Sequence, residues 1–216
     1  ACTPNDVELV DGDCFDAQLY VDYIYLDNEE RRRFAQDNHE YLIPQVQYTG
    51  EECLGSGCKT ERYRMNFNHP VKELVWVVHS AQNVQPSDYD VPNGPSGSEY
   101  SDAGRNAVCQ AKMMLNGHDR FSERRGTYFD CVQPFMHHTR CPSRGINLYS
   151  FALRPEQHQP SGTCNFSRID NAQLEVKVRD QAVSDTVHPG AALRVYAVNY
   201  NLLRIMSGLG GLAYSN

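Results

Sequence analysis

Short stretches in which apolar and polar residues alternate recur along the chain, and this pattern constrains its fold more than any other feature. Residues 173–179 place Leu174, Val176 and Val178 on one face and polar residues on the other. Side chains of a β-strand point alternately to opposite faces, so the pattern is typical of a strand with one buried face. The predicted strands are 17–26, 41–48, 61–67, 74–78, 107–115, 146–153, 173–179 and 193–205.

About eight strands with little helix predict an all-β protein, either an antiparallel sandwich or a barrel. An eight-stranded jelly-roll sandwich, with short connecting helices, is favoured over an immunoglobulin-like sandwich. Pro44 cannot donate a ladder hydrogen bond, so the strand 41–48 is expected at a sheet edge. The continuous apolar run 74–78 predicts a strand that is covered on both faces. The expected core includes Trp76, Val78, Leu148 and Val176.

One short helix and one long loop interrupt the strand pattern. Asp27 is a good N-cap residue with Glu30 three positions later, so a connecting helix is predicted to follow it and to end near residue 36. Residues 81–106 are dense in Pro, Gly, Ser, Asn and Asp, which predicts a long loop. A loop of that length in a compact domain is usually functional or disordered. The pattern of residues 121–138 fits either a helix or a strand, and both interpretations stay open.

Length and charge narrow the class of protein. The 216 residues are enough for one domain, or for one domain and a piece of another. The formal net charge is −7, which argues against a protein that wraps nucleic acid, because neutralising phosphates requires clustered Lys and Arg. No apolar stretch approaches the ~20 residues that span a bilayer, so membrane insertion is not expected.

Eight cysteines are spread along the chain, and most are expected to be reduced thiols. An even number in a short secreted chain would indicate a disulfide framework, but this chain is longer and its strands supply a core without crosslinks. Cys53 and Cys58 have the spacing C-x4-C and could form a loop disulfide or half of a metal site. Free thiols in a turn are the favoured interpretation.

The best candidate for a metal site is formed by His137, His138 and Cys141, with Cys131 upstream. Zinc requires three or four converging nitrogen or sulfur ligands, usually from closely spaced pairs. The spacing here lacks a second pair, and adjacent histidines point in different directions on a strand or a helix. No metal and no cofactor are therefore predicted.

A cluster of basic residues interleaved with aromatic residues lies in the second half of the chain, at Arg120, Arg124, Arg125, Arg140 and Arg144. Such a stretch could bind phosphate or nucleic acid. A solvated surface, or contact with an acidic neighbouring subunit, is the favoured interpretation.

Motifs of common enzymes are absent from the sequence. There is no G-x-S-x-G nucleophile motif, and the glycines at 208, 210 and 211 lack the lysine of a phosphate-binding loop. No pair of carboxylates is singled out by its position. No catalytic residue is therefore predicted.

Four stretches resemble the major capsid proteins of nucleocytoplasmic large DNA viruses, of the algal-virus, iridovirus and mimivirus type. They are VDYIYLDNEERRRFAQDNHEYLI (21–43), NHPVKELVWVV (68–78), INLYSFALRPEQHQPSGTCNFSRIDNAQL (146–174) and NYNLLRIMSGLGGLAYSN (199–216). These stretches are long and specific, they follow the family's order, and together they span most of the chain.

The resemblance implies a protein with two successive jelly rolls. Residues 1–36 then correspond to the end of the first roll and a linker helix, and residues 37–216 to the second jelly-roll domain. Residues before about Asp37 are expected to make few contacts with the core of the second roll, because the sheet partners of the strand 17–26 belong to the first. The loop 81–106 matches the position at which family members build towers on the outer surface.

The resemblance also implies a structural function. Three copies of a family member form a capsomer of pseudo-hexagonal outline, and capsomers tile an icosahedral shell. The expected partners are further copies in a homotrimer, neighbouring capsomers, and minor capsid and penton proteins, with no direct contact with nucleic acid. The expected location is the virion, after assembly in the host cytoplasm, where thiols stay reduced.

A single N-glycosylation sequon, Asn165-Phe166-Ser167, lies within one of the family stretches. Glycosylation in this family need not follow the ordinary sequon. Asn165 is therefore the one candidate modification site that the sequence offers.

The alternative function is that of a carbohydrate-binding or glycan-processing jelly-roll protein, since a fold alone does not define a function. Such a protein needs a concave aromatic face, or a carboxylate pair across a cleft. A metal-dependent enzyme of the cupin kind would need histidines on facing strands, which His137 and His138 do not supply.

Overall fold

The structure is a computed structural model that describes residues 18–54, 60–80, 106–178 and 191–214. Most of the predicted loop 81–106 lies outside the described residues, as do Cys2, Cys14 and Cys58. The helical elements are α1 (Asn28–Gln36), a π-helical turn (Tyr128–Val132), α2 (Gln133–His137) and a 3₁₀ turn (Phe166–Arg168). The strands are β1 (His39–Leu54), β2 (Thr60–Arg64), β3 (Pro70–Ser80), β4 (Val108–Leu115), β5 (His118–Arg125), β6 (Asn147–Ser150), β7 (Cys164–Asn165), β8 (Ala172–Val178), β9 (Ala191–Met206) and β10 (Leu209–Leu212).

The strands form two sheets, and their order defines the topology. One sheet has the order β1-β9-β3-β6, with the short strands β10 on β9 and β7 on β3; the other has the order β2-β8-β4-β5. Six of the nine connections between successive described strands cross from one sheet to the other, which is the arrangement of a jelly roll. The predicted antiparallel jelly-roll fold is therefore confirmed, although the described residues form ten strands rather than the expected eight. The strand β1, which contains Pro44, lies at a sheet edge as predicted.

The chain divides into two compact units. Among the described residues, the smaller unit holds 18–42 and 202–214, and the larger unit holds the residues from 43 to 201. Most of the two sheets, and all of the residues discussed below as candidate sites, belong to the larger unit.

Alternating side chains from both sheets build the core of the larger unit. In β8, Leu174, Val176 and Val178 are buried and alternate with half-buried polar residues. Three of the four predicted core residues, Trp76, Leu148 and Val176, are buried. Val78 is only partly buried, and packs against the core cluster. The prediction that residues 74–78 are covered on both faces is wrong, because Val75 and Val77 on the second face are only half-buried.

Residues 121–138, whose sequence pattern fits either a helix or a strand, contain both. This segment begins in β5, which forms a hairpin with β4 through Asn116 and Gly117, both at positive φ, as a tight hairpin turn requires. The chain becomes helical at Gly126, where a Cβ would lie 2.1 Å from the carbonyl oxygen of Val108. Only glycine fits this close approach.

Two hydrogen bonds of Gln133 fix the helical segment against the sheet. Its Oε1 accepts from the backbone N–H of Ser150 at 3.1 Å, and its Nε2 donates to the hydroxyl of Tyr128 at 2.8 Å. Gln133 is buried, so these bonds satisfy an amide that would otherwise be costly to bury. The short helix α2 is thereby held next to β6.

In the smaller unit, the predicted connecting helix is confirmed as α1. Asp27 is its N-cap, and the Asp27 Oδ1 accepts a hydrogen bond from the Glu30 backbone N–H at 2.8 Å. No helix among the described residues is long and apolar enough to cross a membrane.

The predicted strand 17–26 is not formed. Residue 17 lies outside the described residues, and residues 18–27 have no regular secondary structure. A strand needs a neighbouring strand to satisfy its backbone hydrogen bonds. The apolar residues of this stretch are exposed instead, and the exposed set comprises Leu19, Tyr20, Val21, Tyr23, Ile24, Tyr25 and Leu26.

Candidate functional site

The residues of the suspected metal site do not form a set of three or more metal ligands among the described residues. His137 Nδ1 lies 3.1 Å from the carbonyl oxygen of Leu153, whereas Cys141 is exposed. Both ring nitrogens of His138 are engaged by carboxylates, at Glu73 and Glu156. No group of three or more potential ligands suited to a metal ion is found in the part of the chain that the structure describes. The absence of a bound metal stays a prediction.

His138 instead forms a polar cluster, here called the histidine clamp, with Glu73 and Glu156. His138 Nε2 lies 2.9 Å from Glu73 Oε2, and Nδ1 lies 3.1 Å from Glu156 Oε1. The Thr139 backbone N–H donates to the other oxygen of Glu156 at 3.0 Å. The clamp therefore joins three segments: strand β3, the residues after α2, and the loop after β6.

Hydrogen bonding sets the charges of the clamp. The bond with Glu73 raises the pKa of His138 above its ordinary value of 6.5. The bond from the Thr139 N–H lowers the pKa of Glu156 below its ordinary value of 4.5. Both shifts favour an imidazolium held between carboxylates. The sequence did not reveal this cluster, because Glu73 lies 65 residues from His138 and is placed only by the pairing of β3.

The prediction that most of the cysteines are reduced thiols agrees with the structure in part. Cys109, Cys131, Cys141 and Cys164 are free thiols. Cys53 is disulfide-bonded, so its interpretation as a free thiol is wrong. The spacing of cysteines in a sequence does not show which of them the fold brings within the Cα separation of about 5.5–6 Å that a disulfide needs.

The four free thiols are expected to differ sharply in reactivity. Burial raises the pKa of Cys131 to about 11 and also raises that of Cys164. The thiolate is the nucleophile, so at pH 8 the partly buried Cys131 should be alkylated much more slowly than the exposed Cys109 and Cys141. Timed alkylation of the native chain, followed by peptide mass spectrometry, measures each rate. Equal alkylation rates at all four cysteines would contradict the raised pKa values of Cys131 and Cys164.

The predicted basic stretch does not form one anion-binding surface. Arg124 stacks on the ring of Tyr128, with 4.8 Å from its Cζ to the ring centroid. Arg144 lies 3.6 Å from the carboxylate of Asp130, which is buried in the π-helical turn. Arg120 hydrogen-bonds with Tyr149, so at least three of the five arginines are engaged within the chain, and Arg140 is exposed to solvent. The geometry favours a solvated surface over a phosphate site.

Asn165, the candidate glycosylation site, is exposed at the end of β7. Its Oδ1 accepts from the Ser167 backbone N–H at 3.1 Å and caps the 3₁₀ turn. The Ser167 hydroxyl accepts from the His69 N–H at 2.8 Å, and Phe166 is buried. The sequon is therefore anchored at its second and third residues, with Asn165 at the surface. Attachment of a glycan stays a prediction.

Four large apolar side chains of the larger unit are exposed close to the histidine clamp. They are here called the apolar cluster, and their exposed fractions are 42% for Val132, 80% for Phe135, 62% for Met136 and 72% for Leu153. The sequence did not reveal this cluster, because the segment that carries three of its members was ambiguous. Exposed apolar patches commonly mark contact sites with other macromolecules.

The fold and these sites define a class of protein: a jelly roll with exposed apolar surface and, among its described residues, no converging set of metal ligands. Comparison with known proteins then identifies the family. The chain belongs to the family described as "Large eukaryotic DNA virus major capsid protein", whose model matches residues 30–211. The resemblance seen in the four sequence stretches is confirmed. The family is one of structural proteins rather than enzymes, and the carbohydrate-binding alternative is not supported.

Individual relatives agree with this assignment. The chain is 45% identical to a major capsid protein of Phaeocystis pouchetii virus, over 93% of this chain and 53% of that protein. It is 48% identical to one of Pyramimonas orientalis virus, over 93% of this chain and 49% of that protein. A quasi-atomic model of the PBCV-1 virus capsid matches with a TM-score of 0.69 and 40% identity, over 90% of this chain and 56% of that one. The chain thus spans about half the length of the curated relatives it matches.

Proposed function

We propose that this chain is a structural subunit of a viral capsid and supplies the second jelly roll of a major capsid protein. The observation that carries the proposal is sequence identity above 40% to major capsid proteins over 93% of the chain. The jelly-roll strand order supports it independently. Rigid antiparallel sheets suit a shell protein, because a shell requires fixed contact faces.

We further propose that residues 1–36 belong to the end of a first jelly roll and its linker, and that residues 37–216 form the second. The apolar side chains between residues 19 and 26 are exposed, with exposed fractions from 40% for Leu26 to 91% for Tyr25. Burying such a stretch against a second sheet would satisfy both its backbone hydrogen bonds and its apolar side chains. A strand supplied by the other half of a longer protein would provide both the hydrogen-bond partners and the cover for the apolar side chains.

The proposed assembly is a homotrimer. Three subunits with two jelly rolls each would present six similar lobes, which gives a capsomer of pseudo-hexagonal outline. Such capsomers would contact one another, and minor capsid and penton proteins, in an icosahedral shell of the virion that assembles in the host cytoplasm.

Asn165 remains the candidate for a glycan, and the mass of its peptide from purified virions would decide whether it carries one.

Sedimentation and electron microscopy of the full-length protein test the trimer. We expect a mass of three subunits and a six-lobed outline. Residues 37–216 alone serve as the matched control, and three single jelly rolls could give at most a three-cornered outline. A full-length protein that stays monomeric at micromolar concentration, or that forms particles without six lobes, would contradict the proposal.

A further inference from the structure

The hairpin that joins β4 to β5 turns at an Asn-Gly dipeptide. Leu115 pairs with His118, so Asn116 and Gly117 form a two-residue loop, and both are exposed, with φ values of 50° and 80°. Such a loop requires positive φ at both positions, which asparagine and glycine adopt more readily than other residues. The two residues that suit this turn are also a pair with a chemical reactivity of its own.

The side-chain amide of an asparagine that precedes glycine can react with its own backbone, because both groups are held in one short segment. The Gly117 nitrogen attacks Cγ of Asn116, the new bond closes a five-membered succinimide ring, and the bond from Cγ to Nδ2 breaks. The amide leaves as ammonia and takes the proton of the Gly117 N–H. Water then opens the ring at one of its two carbonyl carbons, which gives either aspartate or isoaspartate. The Gly117 nitrogen is accessible, since even a Cβ on this residue would meet no atom within 4 Å.

Two hydrogen bonds with Asn171 hold Asn116 in its native position. The Asn116 backbone N–H donates to the Asn171 carbonyl oxygen at 2.7 Å, and the Asn171 backbone N–H donates to Asn116 Oδ1 at 3.1 Å. Both bonds follow directly on the pair of Leu115 with Ala172. The side-chain amide therefore extends the ladder between β4 and β8 by one residue, and it is held toward the residue before β8 rather than toward Gly117.

We propose that Asn116 is a site of spontaneous deamidation, which the fold suppresses through the hydrogen bonds with Asn171. The amide must leave the Asn171 N–H before its Cγ can approach the Gly117 nitrogen. The reaction therefore proceeds from the fraction of molecules in which this end of the hairpin has opened locally. The inference goes beyond the proposed function and does not depend on it, because only the hairpin and the residue before β8 carry it.

The two products should affect the hairpin differently. Aspartate tolerates positive φ, and its carboxylate still accepts a hydrogen bond from the Asn171 N–H. Isoaspartate adds one carbon to the backbone of the turn, so the pair of Leu115 with His118 no longer closes a regular two-residue loop. Formation of isoaspartate would therefore loosen the end of the β4–β5 hairpin, whereas formation of aspartate would leave it in place.

Incubation of the folded full-length protein in mildly alkaline buffer, followed by peptide mass spectrometry, measures deamidation at Asn116. Asn171→Pro removes the backbone N–H that holds the amide, and Asn171→Ala, which keeps this N–H, is the matched control. One net hydrogen bond is worth about 1 kcal/mol, so Asn116 should deamidate about 5-fold faster in Asn171→Pro than in Asn171→Ala. The same dipeptide at Asn93-Gly94 lies outside the described residues and serves only as an internal reference for buffer and temperature.

A comparison of folded and urea-unfolded wild type decides the matter even if the proline variant does not fold. Asn116 should react more slowly in the folded protein by at least the same factor, and in urea its rate should be similar to that of Asn93. Equal rates in the folded and unfolded wild type, or in the folded proline and alanine variants, would overturn the suppression by Asn171. An Asn116 that stays intact in urea while Asn93 reacts would overturn the site itself. All of these outcomes leave the capsid function untouched.

Discussion

Replacement of Trp76 by alanine is expected to lower the free energy of unfolding by about 3–5 kcal/mol. Trp76 is fully buried in β3, and its ring centroid lies 5.1 Å from that of Phe129 in the π-helical turn. Its loss would leave a cavity between the sheet and this helical segment, because packed surroundings relax only partly. Denaturant unfolding followed by circular dichroism measures the change.

Trp76→Phe is the matched control for this cavity. The indole N–H of Trp76 is buried and has no hydrogen-bond acceptor among the described residues. Phenylalanine keeps a ring beside Phe129 and removes that unsatisfied donor, so it should cost clearly less than alanine. If both variants lose the same stability, ring packing at this position is not the source of the effect.

The sequence predicts those elements whose signals are local. β8 was predicted within one residue at each end, because one of its faces is buried along its full length and the alternation is complete. Helix α1 was predicted from Asp27, since an N-cap is a property of a few neighbouring residues. The number of such strands predicted an antiparallel sandwich or barrel, the resemblance to the capsid family implied the jelly roll, and the order of the strands in the two sheets agrees with it.

Elements whose structure depends on distant partners were not predictable. β5 has only one residue that is not exposed, Phe121, so its sequence HDRFSERR carries no usable alternation. The stretch 18–26 alternates well, yet it forms no strand, because pattern alone does not supply a neighbouring strand. The clamp and the disulfide of Cys53 depend on tertiary contacts.

Replacement of His138 by alanine is expected to lower the free energy of unfolding by about 3 kcal/mol near pH 6. The side chains of His138 and Glu73 are 17% and 11% exposed and lie 2.9 Å apart. Without the imidazolium, the Glu73 carboxylate would stay largely buried with no cation beside it. Removing one partner of such a pair costs more than the pair itself contributes, because the remaining charge is not solvated.

The loss should depend on pH in a defined direction. The pKa of His138 is raised in the folded chain. Its contribution to the free energy of unfolding is therefore complete below pH 6.5 and is lost as the pH rises through the folded pKa. The pKa of Glu156 is lowered, so its contribution is present above 4.5 and is lost as the pH falls through its folded pKa. The difference in the free energy of unfolding between the wild type and His138→Ala should therefore be largest between pH 4.5 and 6.5.

His138→Gln separates the charge of the clamp from its hydrogen bond. The glutamine amide can donate to Glu73 at every pH but carries no charge, so it should recover part of the lost stability and remove the decline above pH 6.5. Glu156→Gln should cost less than His138→Ala, because Glu156 is exposed and solvent screens its charge. Unfolding curves collected from pH 4 to 9 for the three variants measure these effects. A His138→Ala variant with the same pH profile as wild type would show that the imidazole is neutral in the folded chain and that the clamp holds by hydrogen bonding alone.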